Sequence, residues 1–283
     1  MVHEDIRKNV EKYALGLIRE RFEDGPVCNR LTYHNREHTG GVIRRATAIA
    51  KMMQLSVVEN TLVVIAASFH DTTQEWEPFL KGNGIIFRQK ESGLNEATST
   101  REAVSWMKEY SGYTFSGEEC ELVGLAIMAT IPSWDSIHST VIQKNLTQDS
   151  HPVIRAVAMA DLGSAGMEPK YFENEGFALF LEQEIDIAEK ILALENFYDI
   201  DFKKQREYLG RYYAWMNIQA KFAEGRVALL EEELGNLTGL KRQCVKSLFF
   251  GFAESISLAK LNAKPAEECS FFEMVNRLKG LIK

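Results

Sequence analysis

Cysteine and proline are scarce in this chain, at four and six among 283 residues. No two cysteines form a Cys-x-x-Cys pair, which leaves zinc-finger and thioredoxin-like chemistry without a basis. Cys28, Cys120, Cys244 and Cys269 are too sparse for a disulfide framework, and reduced thiols fit a cytoplasmic protein. With few prolines and no Gly/Ser-rich linker, one compact unit with appended helices is favoured over independent domains. No run approaches the roughly 20 apolar residues of a membrane span, so no membrane partner is expected. The opening segment MVHEDIRKNVEKYALGLIRERF is charged throughout and lacks the apolar core of a signal peptide. A basic excess is missing too. The formal net charge is −7, whereas broad nucleic-acid binding needs a basic face, so nucleic acid is not expected as a partner. No glycine-rich P-loop pattern occurs.

What is present is helical periodicity. Ile6, Val10, Tyr13, Ala14, Leu17 and Ile18 recur at helical spacing over residues 5–22. Asn35 is a candidate N-cap for a helix over 35–54, with Val42, Ile43, Ala46, Ile49, Ala50 and Met53 inward. Residues 59–71 are apolar nearly all round and read as a buried helix. Pro78, Gly82, Gly84 and Gly93 mark 72–94 as a long loop, a candidate lid. Further helices are expected at 95–110, 117–130, 152–163, 176–195, 201–233, 240–261 and 269–282, with a turn at 235–239. The fold class is all-α. Residues 1–200 are expected to form a metal-binding helical unit and 201–283 a helical extension packed on it.

Four residues stand out for their chemistry: His38 in YHNREHTGGV, the pair His70-Asp71 in VVIAASFHDTT, and Asp161 in AVAMADLGSAG. Imidazole and carboxylate together suit a divalent first-row metal. A metal with open positions acidifies a bound water and polarises a phosphoryl oxygen, which points to a hydrolase. Adjacent residues are about 100° apart on a helix, so His70 and Asp71 share an ion only near a helix end. The pair falls where the helix breaks into the 72–94 loop.

At these residues the chain resembles the HD superfamily of metal-dependent phosphohydrolases, over about residues 30–165 and most sharply at 33–42, 62–71 and 155–163. The resemblance implies an HD-domain helical bundle with additional C-terminal helices. It implies one divalent metal ion (Mn, Fe, Co, Ni, Zn or Mg) held by His38, His70, Asp71 and Asp161. It also implies hydrolysis of a nucleotide or other small phosphoester or phosphoanhydride through a metal-activated water, with Asp71 counted among the catalytic groups. The segment YHNREH is similar to that of cyclic-nucleotide phosphodiesterases, a resemblance that implies His34 as the general acid and His38 as the ligand, the alternative being that His34 only orients a neighbour by a hydrogen bond. Imidazole ionises near neutral pH and suits the acid's task. The chain departs from those enzymes at Gln74, where they carry a further histidine.

A bacterial group of uncharacterised HD proteins looks closer, pairing Tyr-His-Asn-x-x-His with a later Asn-Glu and Ser. This singles out Asn95, Glu96 and Ser99, with Glu96 as a base for the attacking water. The bland alternative is that Asn95 caps a helix and Glu96 complements its dipole. His138 and His151 fall where binuclear relatives bind a second metal, but Pro132, Trp134 and Pro152 assign them to a surface loop or a cap. Arg36, Arg88, Lys90 and Arg101 are candidate phosphate-binding cations or, singly, solvated surface charges, and Trp76, Phe79 and Phe87 are candidates either to stack a base or to anchor the loop to the core. The competing readings are a di-iron oxygenase on the same scaffold, needing His138 and His151, and a non-enzymatic metabolite- or partner-binding module. The oligomeric state stays open.

Overall fold

In the computed structural model, Ile6, Val10, Ala14 and Ile18 recur every four residues and are fully buried, which makes α1 (Val2–Ile18) an amphipathic helix. The described residues are 2–24, 30–82, 84–193, 199–263 and 271–280. A short π-helical segment, Arg19–Glu23, continues α1. Helix α2 (Arg36–Met52) starts at Asn35, whose side-chain oxygen accepts from the backbone N–H of Glu37 and His38. Helix α3 (Val57–Phe69) opens with a capping box between Ser56 and Glu59. Its residues from Thr61 to Phe69 are all buried, because α1, α2, α5 (Gly117–Met128) and α6 (Pro152–Asp161) surround it. Helix α4 (Leu94–Glu109) packs on α5.

Two expectations for the loops are corrected. The 72–94 segment carries an antiparallel hairpin, β1 (Glu77–Lys81) and β2 (Ile85–Gln89), in register from Glu77↔Gln89 to Lys81↔Ile85. The β-branched and aromatic run Ile85-Ile86-Phe87 outweighs the loop signals, and Pro78 is tolerated because a two-stranded sheet is all edge. A second hairpin, β3 (Ser133–Asp135) with β4 (Thr140–Ile142), pairs Trp134 with Val141.

The C-terminal half differs in its breaks. After α7 (Ser164–Met167), α8 begins at Pro169 rather than near 176, because proline is well suited to a first helical turn. The single helix expected over 176–195 is two, α8 (Pro169–Gln183) and α9 (Ile185–Ala193). Helix α10 (Phe202–Glu233) is capped by Asp201. The expected 240–261 helix is also two, α11 (Gly239–Ser247) and α12 (Phe252–Asn262). At the break, the Gly251 N–H donates to Gly166 O at 2.7 Å, and a Cβ there would meet Pro169 at 2.6 Å. Last comes α13 (Phe271–Lys279).

The main core joins α1–α6 and takes Leu230, Leu234, Val245 and Phe249 from the C-terminal helices. A second core joins Phe177 and Phe180 of α8 to Tyr208 and Tyr212 of α10 and Met274 and Leu278 of α13. No described helix is long and apolar enough to cross a membrane.

Candidate metal centre

Three helix ends meet beside the main core. His38 lies in the first turn of α2, His70 is the C-cap of α3, and Asp161 ends α6. The carbonyl ends of α3 and α6 favour positive charge where they meet. Arg45 locks this junction: its Nε donates to Ala160 O at 2.7 Å and its guanidinium pairs with Glu168 at 2.8 Å.

His38, His70 and Asp71 come together, with Asp161 beside them. His38 Nε2, His70 Nε2 and an Asp71 oxygen lie within 4.8 Å of one another. Asp71 Oδ2 is 3.4 Å from His38 Nε2 and 3.0 Å from His70 Nε2. Asp161 Oδ1 is 3.5 and 3.7 Å from the same two nitrogens.

Hydrogen bonds assign the tautomers. His70 Nδ1–H donates to Ala67 O at 2.8 Å, and His38 Nδ1–H donates to Glu175 Oε1 at 2.8 Å. In each neutral ring the lone pair is therefore on Nε2, the atom at the centre. Both Nε2 atoms are buried without a hydrogen-bond partner. A divalent cation satisfies such a pair, with Glu175 as the outer carboxylate that orients the His38 ring. His38, His70 and Asp71 form a group that could hold a metal ion, and Asp161 stands beside the two imidazoles.

Burial opposes charge on the His38 ring, yet Asp161, Asp71 and Glu175 together raise its pKa well above that of free imidazole. The carboxylate field that favours a proton here equally favours a cation. Burial likewise works against ionised Asp71, but His70, His34 and His38 hold its pKa well below the usual range. The free oxygens are held from outside. Gln74 Nε2 donates to Asp71 Oδ1 at 2.9 Å, and Gln143 Nε2 to Asp161 Oδ2 at 3.0 Å.

His34 stands beside this group, its ring centroid 6.1 Å from that of His38. Its Nδ1–H donates to Glu182 Oε1, and Glu182 Oε2 accepts the backbone N–H of Tyr33 and of His34, each at 3.0 Å. Burial disfavours the Glu182 carboxylate, but His34 and then Lys90 hold its pKa far below the ordinary value. Glu96 lines the same cavity. Burial, with repulsion from Asp71 and Asp161, raises its carboxyl pKa.

No family model, curated protein or solved structure matches this chain.

The remaining candidates separate clearly. Of the four cations, Lys90 alone lines the cavity, with Nζ 3.4 Å from His34 Nδ1 and bonded to Gln74 Oε1. Arg36 pairs with Glu23 at the surface, and Arg101 bonds Thr98. Arg88 is buried, donating to Glu182 O at 2.7 Å and stacking 3.9 Å over Trp76. Trp76, Phe79 and Phe87 do not line the cavity, so their expected base-stacking role has no footing here. Asn95 does not cap α4, which starts after Gly93 in the left-handed region (φ 80°). Instead its amide accepts from Glu75 N and donates to Glu75 O, while Ser99 Oγ accepts from Thr73 N. These two residues clamp the chain just beyond Asp71.

His138 is exposed and paired with Asp135 in the second hairpin. His151 caps α6, accepting from Val153 N, at the end opposite Asp161. Nine residues of helix rise separate His151 and the centre by about 14 Å. Neither histidine joins the group.

Sequence reasoning missed Glu175, Glu182, Gln143 and Arg45. A signal existed for the two acids. Phe172, Glu175, Leu179 and Glu182 share the spacing of one helix face, so both carboxylates fall on an apolar stripe.

Proposed function

We propose that the protein is a metal-dependent phosphohydrolase acting on a small phosphoester, a nucleotide being one candidate. One observation carries this reading: two buried, unpartnered imidazole nitrogens aimed at two carboxylates, Asp71 and Asp161, on the wall of a cavity of about 710 Å³. The ligands would be His38, His70, Asp71 and Asp161. When bound, the ion supplies an acidified water and withdraws charge from the phosphoryl oxygens.

The chain's own residues have defined tasks in this scheme. Lys90 offers ammonium donors to a phosphate oxygen. Tyr33 also lines the cavity, and burial, then Glu175, Asp161 and Asp71, raise its pKa and keep the phenol protonated as a neutral donor. His34, with Nδ1 committed to Glu182, turns Nε2 to the leaving oxygen and protonates it. Glu96 receives the proton of the attacking water; its raised pKa brings it closer to neutral pH.

The test is a metal-defined screen of phosphoesters with His70→Ala as the blank. Release of phosphate that depends on one divalent ion and vanishes in the variant is the expected result. No metal-dependent release from any phosphoester would overturn the proposal.

A further inference from the structure

The cavity lining is of two unlike kinds. Asp71, Asp161, His34, Lys90 and Glu96 form one. The other is apolar: Phe172 and Leu179 of α8 face Trp215, Ile218 and Phe222 of α10, with Trp134 of β3 beside them. Phe172 and Phe222 stack at 5.8 Å between centroids, and Trp215 Nε1 donates to Gly176 O at 2.8 Å, which leaves its ring as apolar wall. A volume of about 710 Å³ far exceeds what a phosphate and a metal ion need.

Charge limits the polar part. Lys90 is the sole lysine or arginine among the described lining residues, against the carboxylates of Asp71, Glu91, Glu96, Asp161 and Glu175. Asp71 and Asp161 already cancel a divalent ion. One further cation balances part of a single phosphate and falls well short of a triphosphate. Gln183 and Gln219 are the main polar groups near the apolar walls, too few to satisfy a polyhydroxylated body.

We propose that the site takes an amphiphilic monophosphoester, with one phosphate at the His/Asp centre and a hydrophobic body between α8 and α10. This inference rests on the phosphohydrolase reading for its chemistry. Water adds to phosphorus, the P–O bond to the body breaks, the leaving oxygen takes a proton, and an alcohol and inorganic phosphate result.

The test uses the Mn²⁺-loaded protein and alkylphosphonates from methyl to hexyl, which bind without being cleaved. Their Kd is measured by titration calorimetry beside that of ATP, and the matching alkyl phosphates are assayed for hydrolysis. Kd is expected to fall about three- to fourfold per methylene, the usual yield of burying one CH₂. Ile218→Asp, at a half-exposed wall position, and Leu179→Asn should each flatten that gradient while keeping the native circular dichroism. A flat series, tighter binding of ATP than of hexylphosphonate, or a gradient untouched by both variants would overturn the inference. A gradient that the variants flatten, with no alkyl phosphate cleaved under any divalent ion, would instead overturn the hydrolase reading and leave the ligand class supported.

Discussion

His34 donates its Nδ1–H to Glu182, a residue 148 positions further along the chain. The same carboxylate accepts two backbone N–H groups ahead of α2. This buried contact fixes the approach to α2 against α8 and decides which ring nitrogen of His34 is left for chemistry.

Replacing Glu182 by Gln removes a charged acceptor from three donors. A loss of about 1.5–3 kcal/mol is expected, read from urea midpoints at pH 7. The pH dependence follows from the depressed pKa of Glu182, which His34 and Lys90 maintain against burial. A carboxylate with a lowered folded pKa stabilises above its unfolded value, about 4.3, and that stability is lost as pH falls toward the folded value. The gap between native protein and Glu182→Gln should therefore shrink steadily below pH about 4.3. A gap unchanged at pH 3 would show that the carboxylate charge plays no part.

Divalent ions should raise the melting temperature of the native protein. Ligand at 100 times Kd stabilises by about 2.7 kcal/mol, and chelator should reverse it. His70→Ala and Asp161→Asn are expected to abolish the shift. His34→Asn should keep it while turnover falls by about 10² to 10⁴. An equal loss of metal response in His34→Asn would make that residue a ligand.

Glu175→Gln tests the outer carboxylate. It holds the Nδ1–H of His38 at 2.8 Å, and loss of such a partner typically weakens metal affinity by about 10- to 100-fold. Calorimetric affinity unchanged in this variant would mean that Glu175 serves only to neutralise Arg45.

Asn95 is 5% exposed and makes both of its amide bonds to the backbone of Glu75, so its truncation removes two hydrogen bonds that hold that segment. Asn95→Ala should cost about 1–3 kcal/mol and expose residues 72–76 to proteolysis. Unaltered digestion would argue that Ser99, which accepts from Thr73 N, and Glu102, which accepts from Thr72 Oγ1 at 2.8 Å, suffice to hold the segment.

The legible parts of the fold were those with local causes. Asn35 at the start of α2, the four-residue apolar repeat of α1, and Pro152 at the head of α6 each act within a turn of the chain. The β1–β2 hairpin was masked by Pro78, Gly82 and Gly84, which mark turns without saying what lies between them. His38, His70, Asp71 and Asp161 were picked out through residue type and order, and they meet in space. Their supports were missed: the apolar stripe that carries Glu175 and Glu182 marks them as buried, but only the docking of α8 on the approach to α2 shows that they meet His38 and His34.

The hairpin that interrupts residues 72–94 is riveted along β2. Phe87 bridges to Glu184, Arg88 donates to Glu182 O, and Ile86 N donates to Asp186. A strap held at so many points makes a poor door. Among the lining residues, Trp134 and Ile218 are the large apolar side chains that stay exposed to solvent, which suits them to the side where a ligand enters. On the proposed chemistry, a phosphoester would enter there with phosphate leading and body trailing. The two products would then leave in a set order, the alcohol first and the phosphate last, so that free phosphate competes with incoming ester for the innermost position.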